Sequence, residues 1–187
     1  PVIYHLHGSG GNESAQIDLS EVYQKAITEH KMCPVIIVFA NGGKRSYYSD
    51  GANGRILAET TIIRELIPHI DAAYRTIPEK DCRVIHGFSM GGFGALKLGS
   101  KYPDRFCAVL SFGGGMASPG SLHLDFLKQI VGDDPKRIAD NNPADLEERL
   151  VGRYGRIGHK VASLIEGTGL VKLARFTGQP QLFTRNV

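Results

Sequence analysis

A chain of 187 residues with 42% hydrophobic and 22% charged residues has the composition of one globular domain with its own core. Its net charge of +3 comes without a long basic run, which argues against a nucleic-acid partner, and no apolar run approaches the length of a membrane span. Three cysteines, Cys33, Cys82 and Cys107, match no metal-site spacing and are read as buried free thiols.

Val2-Ile3-Tyr4-His5-Leu6 is a short apolar run of strand type, entered directly from Pro1 as in a piece of a longer chain, so localisation is left open. It runs into His7-Gly8-Ser9-Gly10-Gly11. Residues 12–29 read as a helix capped by Asn12 or Ser14, with Leu19, Val22, Tyr23, Ala26 and Ile27 on its apolar face. Val35-Ile36-Ile37-Val38-Phe39 is a continuous apolar strand of the kind buried in a parallel sheet. The loop over 41–53 follows the C-terminal end of that strand. Tyr47, Tyr48 and Asp50 are its candidates for a substrate-pocket wall, with a solvated surface loop as the alternative.

Residues 59–77 carry an apolar stripe from Ile62 through Ile63, Leu66, Ile67, Ile70, Ala73 and Tyr74 to Ile77, predicting a long core helix kinked at Pro68. The next stretch is the most informative in the chain. Val84-Ile85-His86 is a β-branched strand, Gly87-Phe88-Ser89-Met90-Gly91 has the G-x-S-x-G form, and a small-residue helix follows over 91–101. A tight strand-to-helix turn of this form lifts a serine hydroxyl clear of a sheet, and glycines admit the close backbone approach it needs. Ser89 is therefore the candidate nucleophile. A glycine loop after an early strand supplies the complementary half of an oxyanion site, with the backbone N–H groups of Ser9 and Met90 as donors.

Residues 107–112 form the next buried strand, closed by Gly113-Gly114-Gly115. The alternation up to this point predicts a mostly parallel sheet with helices on both faces, in a single domain over residues 1–187. Residues 117–142 are more polar and read as a lid-like excursion, helical over 124–131, with His123, Asp125, Asp133 and Asp134 as surface groups. A helix over 143–154 and a strand over 161–165 are expected. From Gly167 the pattern decays.

Leu6-His7-Gly8-Ser9-Gly10-Gly11, the segment Glu65-Leu66-Ile67-Pro68-His69-Ile70-Asp71 with Tyr74-Arg75, and Gly87-Phe88-Ser89-Met90-Gly91-Gly92-Phe93-Gly94-Ala95 together resemble the Putative esterase family of α/β-hydrolases, the group of feruloyl, acetylxylan and esterase-D-like enzymes. The resemblance covers about residues 1–145. It implies an α/β-hydrolase fold, incomplete at both ends, and ester hydrolysis through an acyl-enzyme on Ser89, with no metal and no organic cofactor. It implies a small-molecule or carbohydrate-linked ester as substrate.

Two departures accompany the likeness. Family members place two strands before the His-Gly loop, so Val2–Leu6 is expected to expose an unpaired edge. They also carry the acid in a Gly-Thr-x-Asp-like turn and the histidine later still, whereas this chain reads Glu166-Gly167-Thr168-Gly169-Leu170 and has no histidine beyond His159. The triad acid and histidine are left unassigned. A fragment of a longer enzyme is the favoured explanation and a degenerate triad the other. An acyltransferase, or a catalytically inactive binding protein, remains open beside the esterase.

Overall fold

The computed structural model describes residues 1–115, 117–146 and the backbone of 172–175. Its frame is a five-stranded sheet of order β2-β1-β3-β4-β5, built from β1 (Val2–Leu6), β2 (Ile36–Ala40), β3 (Arg83–Phe88), β4 (Ala108–Phe112) and β5 (Lys172–Arg175). The first four are parallel; β5 pairs antiparallel with β4, Val109 opposite Ala174. The expected edge at Val2–Leu6 is corrected. β1 lies between β2 and β3, and all five of its residues are buried, because its alternating side chains meet helices on both faces. Among the described residues the strand with one neighbour at that side is β2.

The register assigns the faces. Tyr4, Ile85 and Val109 lie on one face, and Gly99 of α4 (Met90–Lys101) abuts Val109 there. On the same face, Arg83 pairs with Asp71 of α3 (Ile67–Ala73) at 2.6 Å and donates to the Arg105 carbonyl at 3.1 Å, tying the base of β3 to both neighbours. His5 and His86, paired across β1 and β3, point to the other face, where α1 (Leu19–Thr28) lies. The core is thick on the α4 side, where Tyr4, Leu6, Ile62, Ile67, Ile85, Phe93, Leu98 and Phe106 have essentially no exposed surface.

Several elements differ from their sequence outline. α1 starts at Leu19 rather than near residue 12: Asn12 Oδ1 accepts from Ser14 N, and a series of turns occupies the interval. That local bond offers the backbone an alternative to the helix. Val22 is 63% exposed, so the apolar stripe of α1 is only half used.

The long helix is continuous from α2 (Ala58–Thr60) through a π-helical stretch (Thr61–Leu66) into α3, and it stops at Ala73. Pro68 follows that wider stretch directly, inside the continuous helix, where it supplies no N–H to the preceding turn. Tyr74 turns to extended backbone, and both it and Ile77 are largely exposed instead of joining the core. Cys33 is exposed and Cys82 partly so; only Cys107 is the buried thiol expected of all three. The excursion after β4 holds α5 (Leu122–Val131) and α6 (Pro135–Ala139), whose caps are the Ser121 and Asp134 side chains. The helix expected over 143–154 is seen as far as Leu146. The remainder, the strand expected over 161–165 and His159 lie outside the described residues.

Candidate active site

Ser89 joins β3 to α4 with φ 54° and ψ −117°, a conformation an L-residue adopts only under constraint. The constraint is visible on both sides. Ser89 N donates to the Phe112 carbonyl at 2.8 Å, and its own carbonyl accepts from Phe93 N at 3.0 Å. Gly87 and Gly91 pack so closely that a Cβ on Gly87 would collide with the Gly91 backbone and with Leu6 O, and one on Gly91 would come within 2.8 Å of His7 O. These contacts explain why the turn takes glycine at both ends. Ser89 is partly exposed, and among the described residues no group hydrogen-bonds its Oγ. Met90 occupies the first helical position, where the N–H has no intrahelical partner.

The loop after β1 runs alongside this turn: a Cβ on Gly8 would lie 3.6 Å from Ser89 Cβ. The loop is held by its histidine. Gly42 N–H donates to His7 Nε2 at 3.3 Å, so Nε2 is an acceptor and the imidazole proton is on Nδ1, which donates to the Gly8 carbonyl at 2.8 Å. Gly11 N–H donates to the same carbonyl at 3.1 Å. With Gly8 C=O fixed by two donors, the trans peptide directs the Ser9 N–H the opposite way, away from the His7 ring. Among the described residues that N–H makes no hydrogen bond.

The three loop candidates take different places. Tyr48 has no exposed surface, so it cannot line an open pocket as a wall residue would. Its hydroxyl donates to the His7 carbonyl at 3.0 Å, and burial raises its phenol pKa. Asp50 accepts from Thr60 N at 3.0 Å and Thr60 Oγ1 at 2.6 Å, anchoring the start of the long helix. Tyr47, 6% exposed, stacks edge-on to Phe93 at 5.0 Å between ring centres and faces His123, its hydroxyl 3.3 Å from Nδ1. His123 is thus packed rather than a free surface group: its Nε2 edge lies against Gly115, where any Cβ would strike the ring.

The chain has seven histidines, six of them among the described residues, and none of the six bonds Ser89. His5 and His86 lie tilted against each other beneath α1 with ring centres 4.7 Å apart, His5 Nε2 meeting Gln16 Oε1 at 2.8 Å and His86 Nε2 meeting the Tyr23 hydroxyl at 3.2 Å. Burial lowers both pKa values, that of His86 to about 4. Both are packed as neutral groups between the sheet and α1. No cluster of metal-ligating side chains occurs among the described residues, and none of their helices is long and apolar enough to cross a membrane.

Sequence reading missed a buried charged group on the helix that follows Ser89. Lys97, two turns along α4 from Ser89, is completely buried. Its Nζ donates to the Tyr48 carbonyl at 2.5 Å, Ser49 Oγ at 3.0 Å, Glu59 Oε2 at 2.7 Å and Asn141 Oδ1 at 3.3 Å. Glu59 also receives Lys101 Nζ at 2.7 Å and the Tyr102 hydroxyl at 2.6 Å. Burial pushes the Glu59 carboxyl up, but the two lysines and the tyrosine outweigh it and hold it at about 2. One signal was available: a lysine between Leu96 and Leu98 in an otherwise small and apolar helix must find a partner.

Comparison with known proteins matches residues 1–154 to the Putative esterase family. An esterase of Mycobacterium tuberculosis is 38% identical over 130 residues, 67% of this chain and 27% of that protein. The endo-1,4-beta-xylanase/feruloyl esterase of Xylanibacter ruminicola is 32% identical over 128 residues, 65% of this chain and 18% of that one. Among solved structures, the S-formylglutathione hydrolase of Agrobacterium tumefaciens superposes with a TM-score of 0.68 at 20% identity, covering 80% of this chain and 60% of the other. The sheet is therefore that of an α/β-hydrolase. The match spans about a quarter of the length of the mycobacterial relative.

Proposed function

The chain belongs to the Putative esterase family, and from that premise we propose that it carries the nucleophile half of a serine carboxylic-ester hydrolase. The observation that supports this most is the backbone of Ser89, held at positive φ between two closely packed glycines with its Oγ hydrogen-bonded by no group among the described residues.

In this reading Ser89 Oγ attacks the ester carbonyl and loses its proton to a general base, forming an Oγ–C bond and a tetrahedral oxyanion. The oxyanion is received by the N–H groups of Ser9 and Met90, which have no hydrogen-bond partner among the described residues. Collapse expels the alcohol, which takes up the proton, and leaves an acyl-enzyme. Water then reverses the sequence and releases the acid. No described histidine hydrogen-bonds Ser89, and the triad acid and histidine are left unassigned in this reading. The relatives' names, feruloyl esterase and acetyl esterase, favour a small acyl or cinnamoyl-type ester, including one attached to carbohydrate.

The test is turnover of p-nitrophenyl acetate by the 187-residue chain and its Ser89→Ala variant. Loss of all turnover in the variant is expected. Equal rates in the two would leave a nucleophile scaffold without a working triad, as in a binding protein. Product analysis with added alcohol separates hydrolysis from acyl transfer.

A further inference from the structure

We propose that Tyr48 is a positioning residue for the oxyanion loop: its hydroxyl, on a strained backbone clamped to the nucleophile helix, holds the His7 carbonyl and with it the peptide planes that aim Ser9 N–H. This rests on the reading of Ser89 and Ser9 given above.

Tyr47 and Tyr48 both have positive φ, 49° and 53°, in sequence. Two bulky residues do not hold that conformation unless the surroundings impose it. The surroundings are specific. Tyr48 N donates to Ser46 Oγ at 2.9 Å, and the Tyr48 carbonyl accepts from the buried Lys97 of α4 at 2.5 Å. Its ring fills a slot made by two glycines: a Cβ on Gly42, after β2, or on Gly94, one turn beyond the elbow, would run into it. At the far end of the ring the hydroxyl donates to His7 O at 3.0 Å, the carbonyl that Gly91 also approaches.

Three segments therefore meet on one side chain: the loop that carries Ser9, the exit of β2 that supplies Gly42 to His7 Nε2, and the helix that follows Ser89. The two bonds act on consecutive peptides. Tyr48 fixes the plane between His7 and Gly8, and the His7 imidazole fixes the plane between Gly8 and Ser9. Releasing the first lets the loop rotate about His7 while the ring packing stays in place. A role in packing alone would require the ring and not the hydroxyl.

Tyr48→Phe separates the two, since it keeps the ring and removes the donor. Two readouts are taken on the 187-residue chain. One is the kinetics with p-nitrophenyl acetate. The other is amide exchange of Gly10 and Gly11, whose N–H groups bond Lys44 O and Gly8 O, with Ile85 in the sheet as the internal standard. A kcat reduced roughly ten- to a hundredfold at a KM within about twofold is expected, since a misaimed oxyanion donor acts on the transition state. Exchange at Gly10 and Gly11 should quicken about tenfold, with Ile85 unchanged.

Thr76→Val removes a comparable side-chain bond, to Asp71 Oδ1, and should lower stability while moving neither readout. An unchanged kcat in an active enzyme, or unchanged exchange at both glycines, overturns the proposal. If the parent chain shows no Ser89-dependent turnover, the esterase reading fails, and the exchange data alone decide whether Tyr48 holds the loop.

Discussion

Lys97 Nζ lies 2.7 Å from Glu59 Oε2 with none of the lysine side chain exposed, yet the two partners are not equally dependent on each other. Without Lys97, Glu59 keeps Lys101 and the Tyr102 hydroxyl. Without Glu59, Lys97 keeps only neutral hydrogen-bond acceptors among the described residues, the Tyr48 carbonyl, Ser49 Oγ and Asn141 Oδ1. Glu59→Gln should therefore destabilise by about 3–5 kcal/mol, the cost of an uncompensated buried charge, and Lys97→Met by less. Urea unfolding of both variants checks the order; a larger loss for Lys97→Met would contradict it.

The buried imidazoles make the fold sensitive to acid. His86 has a folded pKa of about 4, below the 6.5 of a free imidazole, so the unfolded chain takes up the proton first as pH falls. The contribution of neutral His86 is fully present above about pH 6.5 and is lost as pH falls to about 4, in total roughly 3 kcal/mol. His5, lowered in the same direction, adds to the slope. Glu59, normally near 4.5 and held at about 2, adds a second loss below that window. Urea midpoints at about pH 7 and about pH 5 should differ clearly, and His86→Phe should make that acid limb shallower.

Strain at the elbow predicts a conflict between stability and chemistry. Ser89→Gly removes the Cβ that makes φ 54°, ψ −117° costly, whereas Ser89→Ala keeps it. Both should be inactive, and the glycine variant should be the more stable by about 1 kcal/mol, strain relief of about 1–3 kcal/mol being partly offset by glycine's larger unfolded-state entropy. Thermal melts of the pair provide the comparison.

The two kinds of glycine separate just as sharply. Gly43 has φ 81° with open space around its missing Cβ, so Gly43→Ala should cost only backbone strain, about 1 kcal/mol. At Gly91 the Cβ would enter the backbone of Leu6 and His7, so Gly91→Ala should fail to give folded chain or lose several kcal/mol. Soluble yield and circular dichroism of the two proteins decide it.

How much of this was legible beforehand depended on the range of the interaction. The strand runs at 2–6, 36–40, 83–88 and 108–112 and the helix after Ser89 are written in local patterns of period and composition, and they appear within a residue or so of their expected bounds. So is the elbow, because G-x-S-x-G encodes a turn of five consecutive residues. Local signals misled where a nearby polar group or a neighbouring element competed with them. Asn12 diverts the chain from helix, and Tyr74 leaves the apolar stripe when the helix ends at Ala73.

What the sequence by itself determined was the parallel order of alternating strands and helices and the tight Gly87–Gly91 turn that carries Ser89 between β3 and α4. Burial of β1 between its neighbours, the fixed His7 tautomer, the inward turn of Tyr48 and the Lys97–Glu59 pair were decided only by the tertiary structure. Each joins residues separated by tens of positions, Lys97 and Tyr48 by 49 and Tyr48 and His7 by 41. No local period records such a contact. Its physical origin is that a buried donor, once placed there by the packing of a helix or loop, must find an acceptor in whatever segment the sheet order brings beside it.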